Sequence, residues 1–247
     1  MNSTIRNNFI WNNGALGGGA INLDGVSQSF IYNNVLYNNL AGGIVNFATD
    51  GVNPGSNVII HNTIYNANHY GIALHDTSDN NIVGNNILIT DVAIHYAIDV
   101  SGSGSGNNID YNAVYVPNNK NLTFTTDGST GLTPAQWAAA GYGSHVIVLG
   151  NQTSLFVNAA GNNYAEASGA PTIQAGNIAY SMVNGAVVPD INGVGRSAGN
   201  VDMGAYQFFD TSSTTASNSN SGSGSSSSSS APRNKAELFR LMKSLFR

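Results

Sequence analysis

From Asn2 to Tyr115 the chain alternates short apolar pairs with asparagine. The stretch "SFIYNNVLYNN", Ser29 to Asn39, sets two apolar pairs each before an Asn-Asn. Asparagine is depleted from ordinary strands because its side chain competes for backbone hydrogen bonds. A repeat explains its presence here. Aligning on the second asparagine gives "RNNFIWNN", "YNNVLYNN", "IHNTIYNA", "GNNILITD" and "DYNAVYVP", with anchors at Asn8, Asn34, Asn62, Asn86 and Asn112 and steps of 26, 28, 24 and 26 residues. A period in the twenties with short strands signals a solenoid, in which each unit buries its apolar face only against its neighbours. A second strand in each unit alternates inward residues, read as Ile21 and Leu23, Val45 and Phe47, Ile72 and Leu74, and Ile98 and Val100. Strands stacked in register lie about 4.8 Å apart, so like residues sit above one another. An asparagine at a corner then hydrogen-bonds its counterpart in the next coil and tolerates the left-handed backbone of a tight turn.

On these residues the chain resembles the right-handed parallel β-helix (pectin-lyase-like) repeat proteins of the secreted type, over about Asn2 to Phe208. The later segment "DINGVGRSAGNVDMGAYQF" resembles the closing region of that superfamily, with Asp190, Gly193, Arg196, Asp202, Gly204, Ala205 and Tyr206 matching D-x-x-G-x-x-R and D-x-G-A-Y. The fold class expected is all-β, a right-handed parallel β-helix solenoid over residues 1–210, with helix confined to "TPAQWAAAG". Arg196 is expected to pair with Asp190 or Asp202. The first coil begins almost at Met1, so further coils or a cap are expected upstream.

Composition narrows the setting. Only 9% of residues are Asp, Glu, Lys or Arg, against about 25% in ordinary domains. Cysteine is absent, which removes disulfides, thiolate nucleophiles and Cys metal sites. Up to Asp210 there are 3 basic residues (Arg6, Lys120, Arg196) against 12 acidic, a balance of 3 − 12 = −9, and beyond it 5 against 1, or +4. An acidic body argues against nucleic acid as a partner, since phosphate binding needs clustered Lys and Arg. The start, "MNSTIRNNFIWNN", has no signal-peptide pattern. An extracellular or cell-surface location is what the resemblance implies. A monomer is expected.

Residues 211–230 are a Ser, Gly, Asn and Thr tract that reads as a flexible linker. Residues 231–247, "APRNKAELFRLMKSLFR", place Leu238, Leu241, Met242 and Leu245 at helical spacing among Arg240, Lys243 and Arg247. That is a short basic amphipathic helix, suited to a membrane surface or an acidic protein groove, and too short to be stable alone in water.

The candidate chemistry lies on the outward positions of the second strand. Two exposed columns are expected: Asn22, Asn46, Ala73 and Asp99, then Asp24, Ala48, His75 and Ser101, with Asp50, Asp76 and Asp79 in the adjoining turns. Asp76 and Asp99 are the candidate acid and base, His75 a proton shuttle, and Asn22, Asp24 and Asn46 candidate substrate-binding groups. Asp76 and Asp79, with Asp99, offer hard oxygen ligands to Ca2+. The resembled enzymes act on polysaccharide at such a face, which implies a lyase, hydrolase or epimerase. Tyr32, Tyr37, Tyr65, Tyr70 and Trp11 are candidate sugar-stacking residues. Few cations are available for uronate carboxylates, Lys120 being the one candidate. The competing reading is a non-catalytic adhesive solenoid in which turn aspartates are structural and His69 and His95, spaced like the asparagines, stack along the coils.

Overall fold

A computed structural model describes residues 2–209 except 16, 53, 91–95, 103, 118–123 and 153. The linker, the basic amphipathic segment, Lys120 and His95 lie outside the described residues.

The strands come in triplets. The first is β1 (Thr4–Arg6), β2 (Phe9–Trp11) and β3 (Gly19–Asp24); the second β4 (Phe30–Tyr32), β5 (Val35–Tyr37) and β6 (Gly42–Phe47); the third β7 (Val58–Ile60), β8 (Thr63–Ala67) and β9 (Ile72–Leu74). The fourth is β10 (Ile82–Gly84), β11 (Ile87–Thr90) and β12 (Ile98–Asp99), and the fifth β13 (Asn108–Asp110), β14 (Ala113–Tyr115) and β15 (Phe124–Thr125). A helix, α1 (Pro134–Ala139), and a strand, β16 (Ile147–Val148), follow. Each triplet contributes one strand to each of three parallel sheets, ordered β1-β4-β7-β10-β13, β2-β5-β8-β11-β14-β16 and β3-β6-β9-β12-β15. The expected parallel solenoid is therefore present, but with three strands per coil rather than two. The Asn-Asn pair separates the first two strands of a coil.

A three-residue strand turns its middle side chain opposite to its two neighbours. The middle residues form the core. Ile5, Ile31, Ile59, Val83 and Ile109 stack along the first sheet. Ile10, Leu36, Ile64, Leu88, Val114 and Val148 stack along the second, and Ile21, Ile44, Ile72, Ile98 and Phe124 along the third. The three rows meet in one apolar cluster. Each fully buried aliphatic side chain contributes about 1.5–3 kcal/mol.

The corners divide labour within each Asn-Asn pair. Asn7, Asn33, His61, Asn85 and Tyr111 take left-handed backbone, with φ between 52° and 56°. The following asparagines form a ladder in which each Nδ2 donates to the next Oδ1: Asn8 to Asn34 at 2.9 Å, Asn34 to Asn62 at 3.0 Å, Asn62 to Asn86 at 3.1 Å and Asn86 to Asn112 at 3.0 Å. A further ladder, Ser29, Asn57, Asn81 and Asn107, precedes the first sheet.

The later end of the stack is covered by α1. Thr133 and Gln136 make a capping box and Pro134 opens the helix. Trp137 lies over Phe124, ring centroids 4.6 Å apart, and Tyr142 over Trp137 at 4.0 Å. From Leu155 the chain folds back along the outer faces of the first two sheets as a closing segment containing the hairpins β17 (Phe156–Asn158) with β18 (Asn163–Glu166) and β19 (Met182–Val183) with β20 (Ala186–Val187).

The left-handed corner residues latch this segment. Asn33 Nδ2 donates to Pro189 O at 2.7 Å, and Asn85 Nδ2 donates to Asn177 O at 2.8 Å. His61 lies between Ser181 Oγ at 2.8 Å and Gly204 O at 3.3 Å. Arg196 does not form the expected ion pair with Asp190 or Asp202. Its guanidinium is buried and donates to Asn33 Oδ1, Val188 O and Gly204 O. The two carboxylates are engaged by backbone N–H groups, Asp190 by Asn192, Val194 and Gln207, and Asp202 by Gln174 and Phe208. Burial lowers the Arg196 pKa to about 10 although Asp190 and Asp202 oppose that shift.

Candidate functional site

Among the described residues the closing segment packs on the first two sheets and not on the outer face of the third, where Val45, Ala73, Asp99 and Thr125 are buried by their neighbours. Along it run two columns, Asn22, Val45, Ala73, Asp99 and Thr125, and beside them Asp24 and Phe47 followed by His75 and Ser101. The expected column is corrected at one coil. Ile44, not Val45, pairs with Ile21 and Ile72, so Asn46 falls between Leu23 and Leu74 on the inward side. Asn46 is 0% exposed, its Nδ2 donates to Asn81 Oδ1 at 3.4 Å, and it is no substrate-binding group. Val45 and Phe47, read as inward, face outward. The shift arises because the second coil reaches this strand in fewer residues: Ile44 lies 10 residues after Asn34, whereas Ile21 lies 13 after Asn8.

The structure brings His75 and Asp99 together, with Nε2 of His75 3.0 Å from Oδ2 of Asp99. The two differ in setting: the His75 side chain is 27% exposed and Asp99 0%. Asp99 is thus no exposed residue, though it stands in the outward column. Tyr70 and Tyr96 pack around it. Burial, then the charge of Asp99 and a hydrogen bond with it, raises the Tyr70 phenol to about 12. Tyr96 is also raised, by burial and then by Asp127 and Asp99, and its hydroxyl donates to Ser129 O at 2.7 Å. Asp99 Oδ1 is buried without a hydrogen-bond partner among the described residues. Tyr70 meets the His75 ring edge-on at 5.5 Å. A buried carboxylate behind a partly exposed imidazole fixes ring orientation, leaving Nδ1 to exchange a proton with a bound group.

Asp24, Asp76, Asp79 and Asp127 are turn fasteners, while Asp110 pairs with the exposed His145 ring at 2.8 Å. Asp24 Oδ1 accepts the N–H groups of Thr49 at 3.0 Å and Gly51 at 3.0 Å in the next coil, and these bonds, Gly51 foremost, lower its pKa. Asp76, exposed and in left-handed backbone, accepts Ala48 N–H at 2.8 Å. Asp79 accepts Ser105 N–H at 2.6 Å. Asp127 is held well below the usual carboxylate range, first by Thr130 N–H at 2.6 Å and also by Ser129 N–H at 2.8 Å. No group of three or more His, Asp or Glu with the disposition of a metal site occurs among the described residues. Asp76 and Asp79 therefore have no ligand cage around them in that set. Asn22 stays exposed on β3.

The family profile of a right-handed beta helix region matches residues 1–133. The chain belongs to that family. A search of curated proteins and a search of solved structures each return no match. The handedness expected from the repeat is that of this right-handed beta helix family.

Within this beta helix the aromatic expectations separate. Tyr32 packs under Val188; Tyr37 and Tyr65 pack under Tyr164, with centroids at 5.2 and 5.1 Å. The closing segment covers all three, so they offer no sugar platform. Trp11 remains 51% exposed, stacked on Tyr37 at 5.6 Å. On the outer face of the third sheet Phe47 stands one coil before His75 in the same column, and Tyr70 packs on the His75 ring. Phe47, Tyr96, Thr125 and Asp127 were missed as site residues; the coil period of 26 that links Tyr70 to Tyr96 was the available signal for Tyr96.

Proposed function

We propose that the outer face of the third sheet binds polysaccharide outside the cell and that His75, oriented by Asp99, acts there as an acid–base group. The observation that carries this reading is the 3.0 Å contact between a buried carboxylate and a partly exposed imidazole on the sheet face that the closing segment leaves open. Phe47 and Asn22 supply an apolar and a polar contact toward the earlier coils. Asp76 is too engaged with Ala48 to be the favoured partner, and the pair His75 and Asp99 replaces Asp76 and Asp99 as the candidate machinery. The test is a panel of polysaccharides read for binding, reducing ends and unsaturated products. His75→Ala and Asp99→Asn are each expected to lower turnover by about 100-fold or more while melting is retained, the scale of a lost general acid–base group. Turnover unchanged in both variants moves the site elsewhere.

A second reading, a non-catalytic adhesive solenoid, is favoured by the structural use of Asp24, Asp76 and Asp79. It predicts polysaccharide binding without products, lost on changing Phe47 but not on changing His75 to Asn.

A further inference from the structure

The charge around His75 and Asp99 bears on which glycan the face accepts, and this inference rests on the reading that it accepts one. Along the two columns of this face stand Asn22, Val45, Phe47, Ala73, Ser101 and Thr125, none of them cationic. The bordering turns carry Asp24, Asp76 and Asp127, and backbone N–H groups hold Asp24 and Asp127 ionised. Two cations occur among the described residues, and neither serves this face. Arg6 lies on β1 in the first sheet, 6.0 Å from the Tyr32 ring centroid, and Arg196 is buried against Asn33 and two carbonyls. Asp99 is buried with one oxygen unpartnered, so a second anion placed beside it meets a charge that water screens weakly. A polymer bearing carboxylate or sulfate on each unit would bring that anion and find no Arg or Lys fork to pair it.

We infer that the open face selects a glycan without anionic groups, uncharged or amine-bearing, and disfavours uronate and sulfated polymers. Uncharged sugar hydroxyls are suited to Asn22 and Ser101 as hydrogen-bond partners, with Phe47 under a ring face. An amine would in addition meet the turn carboxylates.

The experiment is affinity electrophoresis of the full chain, at moderate salt, through gels holding matched lengths of an uncharged glucan, xylan or mannan, a deacetylated amino-sugar polymer, a polyuronate and a sulfated glycan, repeated with His75→Asn, Phe47→Ala and Lys120→Ala. Retardation by an uncharged or amine-bearing polymer is expected, at least about tenfold stronger than by either anionic polymer, and lost in His75→Asn and Phe47→Ala but kept in Lys120→Ala. Retardation strongest on an anionic polymer and dependent on His75 overturns the inference while leaving the carbohydrate reading intact, and its loss in Lys120→Ala would name the cation responsible. Retardation by none of the polymers overturns both.

Discussion

Nε2 of His61 lies 2.8 Å from Ser181 Oγ, joining a corner of the coil stack to the segment that closes over it. Asn85 Nδ2 approaches the same ring nitrogen at 3.2 Å, so Nε2 accepts while Nδ1 donates to the Gly204 carbonyl. The contact is made by a neutral imidazole. Burial first, and the Arg196 charge second, hold its pKa well below 6.5.

Acid should therefore loosen this latch. A histidine whose folded pKa is depressed contributes stability that is present above its unfolded value, about 6.5, and is lost as pH falls from there toward the folded pKa. Thermal melts are expected to drop between pH 7 and pH 5. His61→Asn, which restores the residue type found at Asn33 and Asn85, should flatten that drop. Buried Glu166, raised well above 4.5 by burial and then by Asp202, has the opposite sign: its contribution is present below 4.5 and is lost as pH rises. A His61→Asn profile that still falls below pH 6.5 as steeply as the parent would assign the acid sensitivity to another group.

The asparagine ladder has an interior and an end, and the two should differ in energy. Asn62 Nδ2 donates to Ile31 O, Ile60 O and Asn86 Oδ1, while its Oδ1 accepts from Asn34 N and Nδ2. Asn62→Ala leaves several of these buried groups unpaired at about 1–3 kcal/mol each, so a loss of about 3 kcal/mol or more is expected. Asn8, exposed in the first coil, donates through Nδ2 to Arg6 O and Asn34 Oδ1, and Asn8→Ala should cost under about 1 kcal/mol because water replaces the lost partners. Equal losses in denaturant melts would contradict the ladder as the source of corner stability.

What was legible in the chain follows the repeat. Asn34, Asn62, Asn86 and Asn112 reveal the coils because a stacked amide ladder is one of few settings that favours asparagine beside strands. The third strand was hidden because Phe30–Tyr32 runs into the Asn33–Asn34 corner and reads with Val35–Tyr37 as one strand. Asn46 was misplaced for a similar reason: counting residues loses register because Ile44 follows its anchor Asn34 by 10 residues whereas Ile21 follows Asn8 by 13. The cover over Tyr32, Tyr37 and Tyr65 could not be read at all, since Tyr164 and Val188 belong to a segment without repeats. One signal of that cover was present. His61 and Tyr111 stand in a corner column otherwise filled by asparagine, and both contact the closing segment: His61 bonds Ser181, and Tyr111 packs against Tyr180 at 5.7 Å.

The basic segment 231–247 is proposed to bind an anionic surface. Its apolar positions Leu238, Leu241, Met242 and Leu245 lie among five cations, a combination that adsorbs to acidic lipid and weakens as salt screens the charge. Deleting 231–247 should abolish co-sedimentation with vesicles containing phosphatidylserine and leave the melting temperature unchanged. Co-sedimentation undiminished by the deletion would place membrane affinity in the coils, and a marked fall in melting temperature would make the segment a structural part of the solenoid.

Gly84 ends β10 directly beneath the ring of Tyr180. A methyl group built on its α-carbon would overlap Cβ, Cγ and Cδ1 of that ring. The ring has little freedom to retreat, because Tyr180 Oη donates to Asn108 Oδ1 at 2.6 Å and its backbone carbonyl accepts Asn85 Nδ2 at 3.1 Å. Glycine is thus required here for close approach rather than for a special backbone angle. Gly84→Ala should cost about 1–3 kcal/mol, the range for overpacking a tight contact, and the strain should fall on the closing segment because the coil backbone is fixed by strands on both sides of β10. Limited proteolysis is the direct readout, with faster cleavage expected between Thr172 and Val188 and the coil stack left intact. The double variant Gly84→Ala with Tyr180→Ala removes the clash and should recover part of the lost melting temperature. Proteolysis and melting identical to the parent in the single variant would show that Tyr180 does not hold the closing segment at this point.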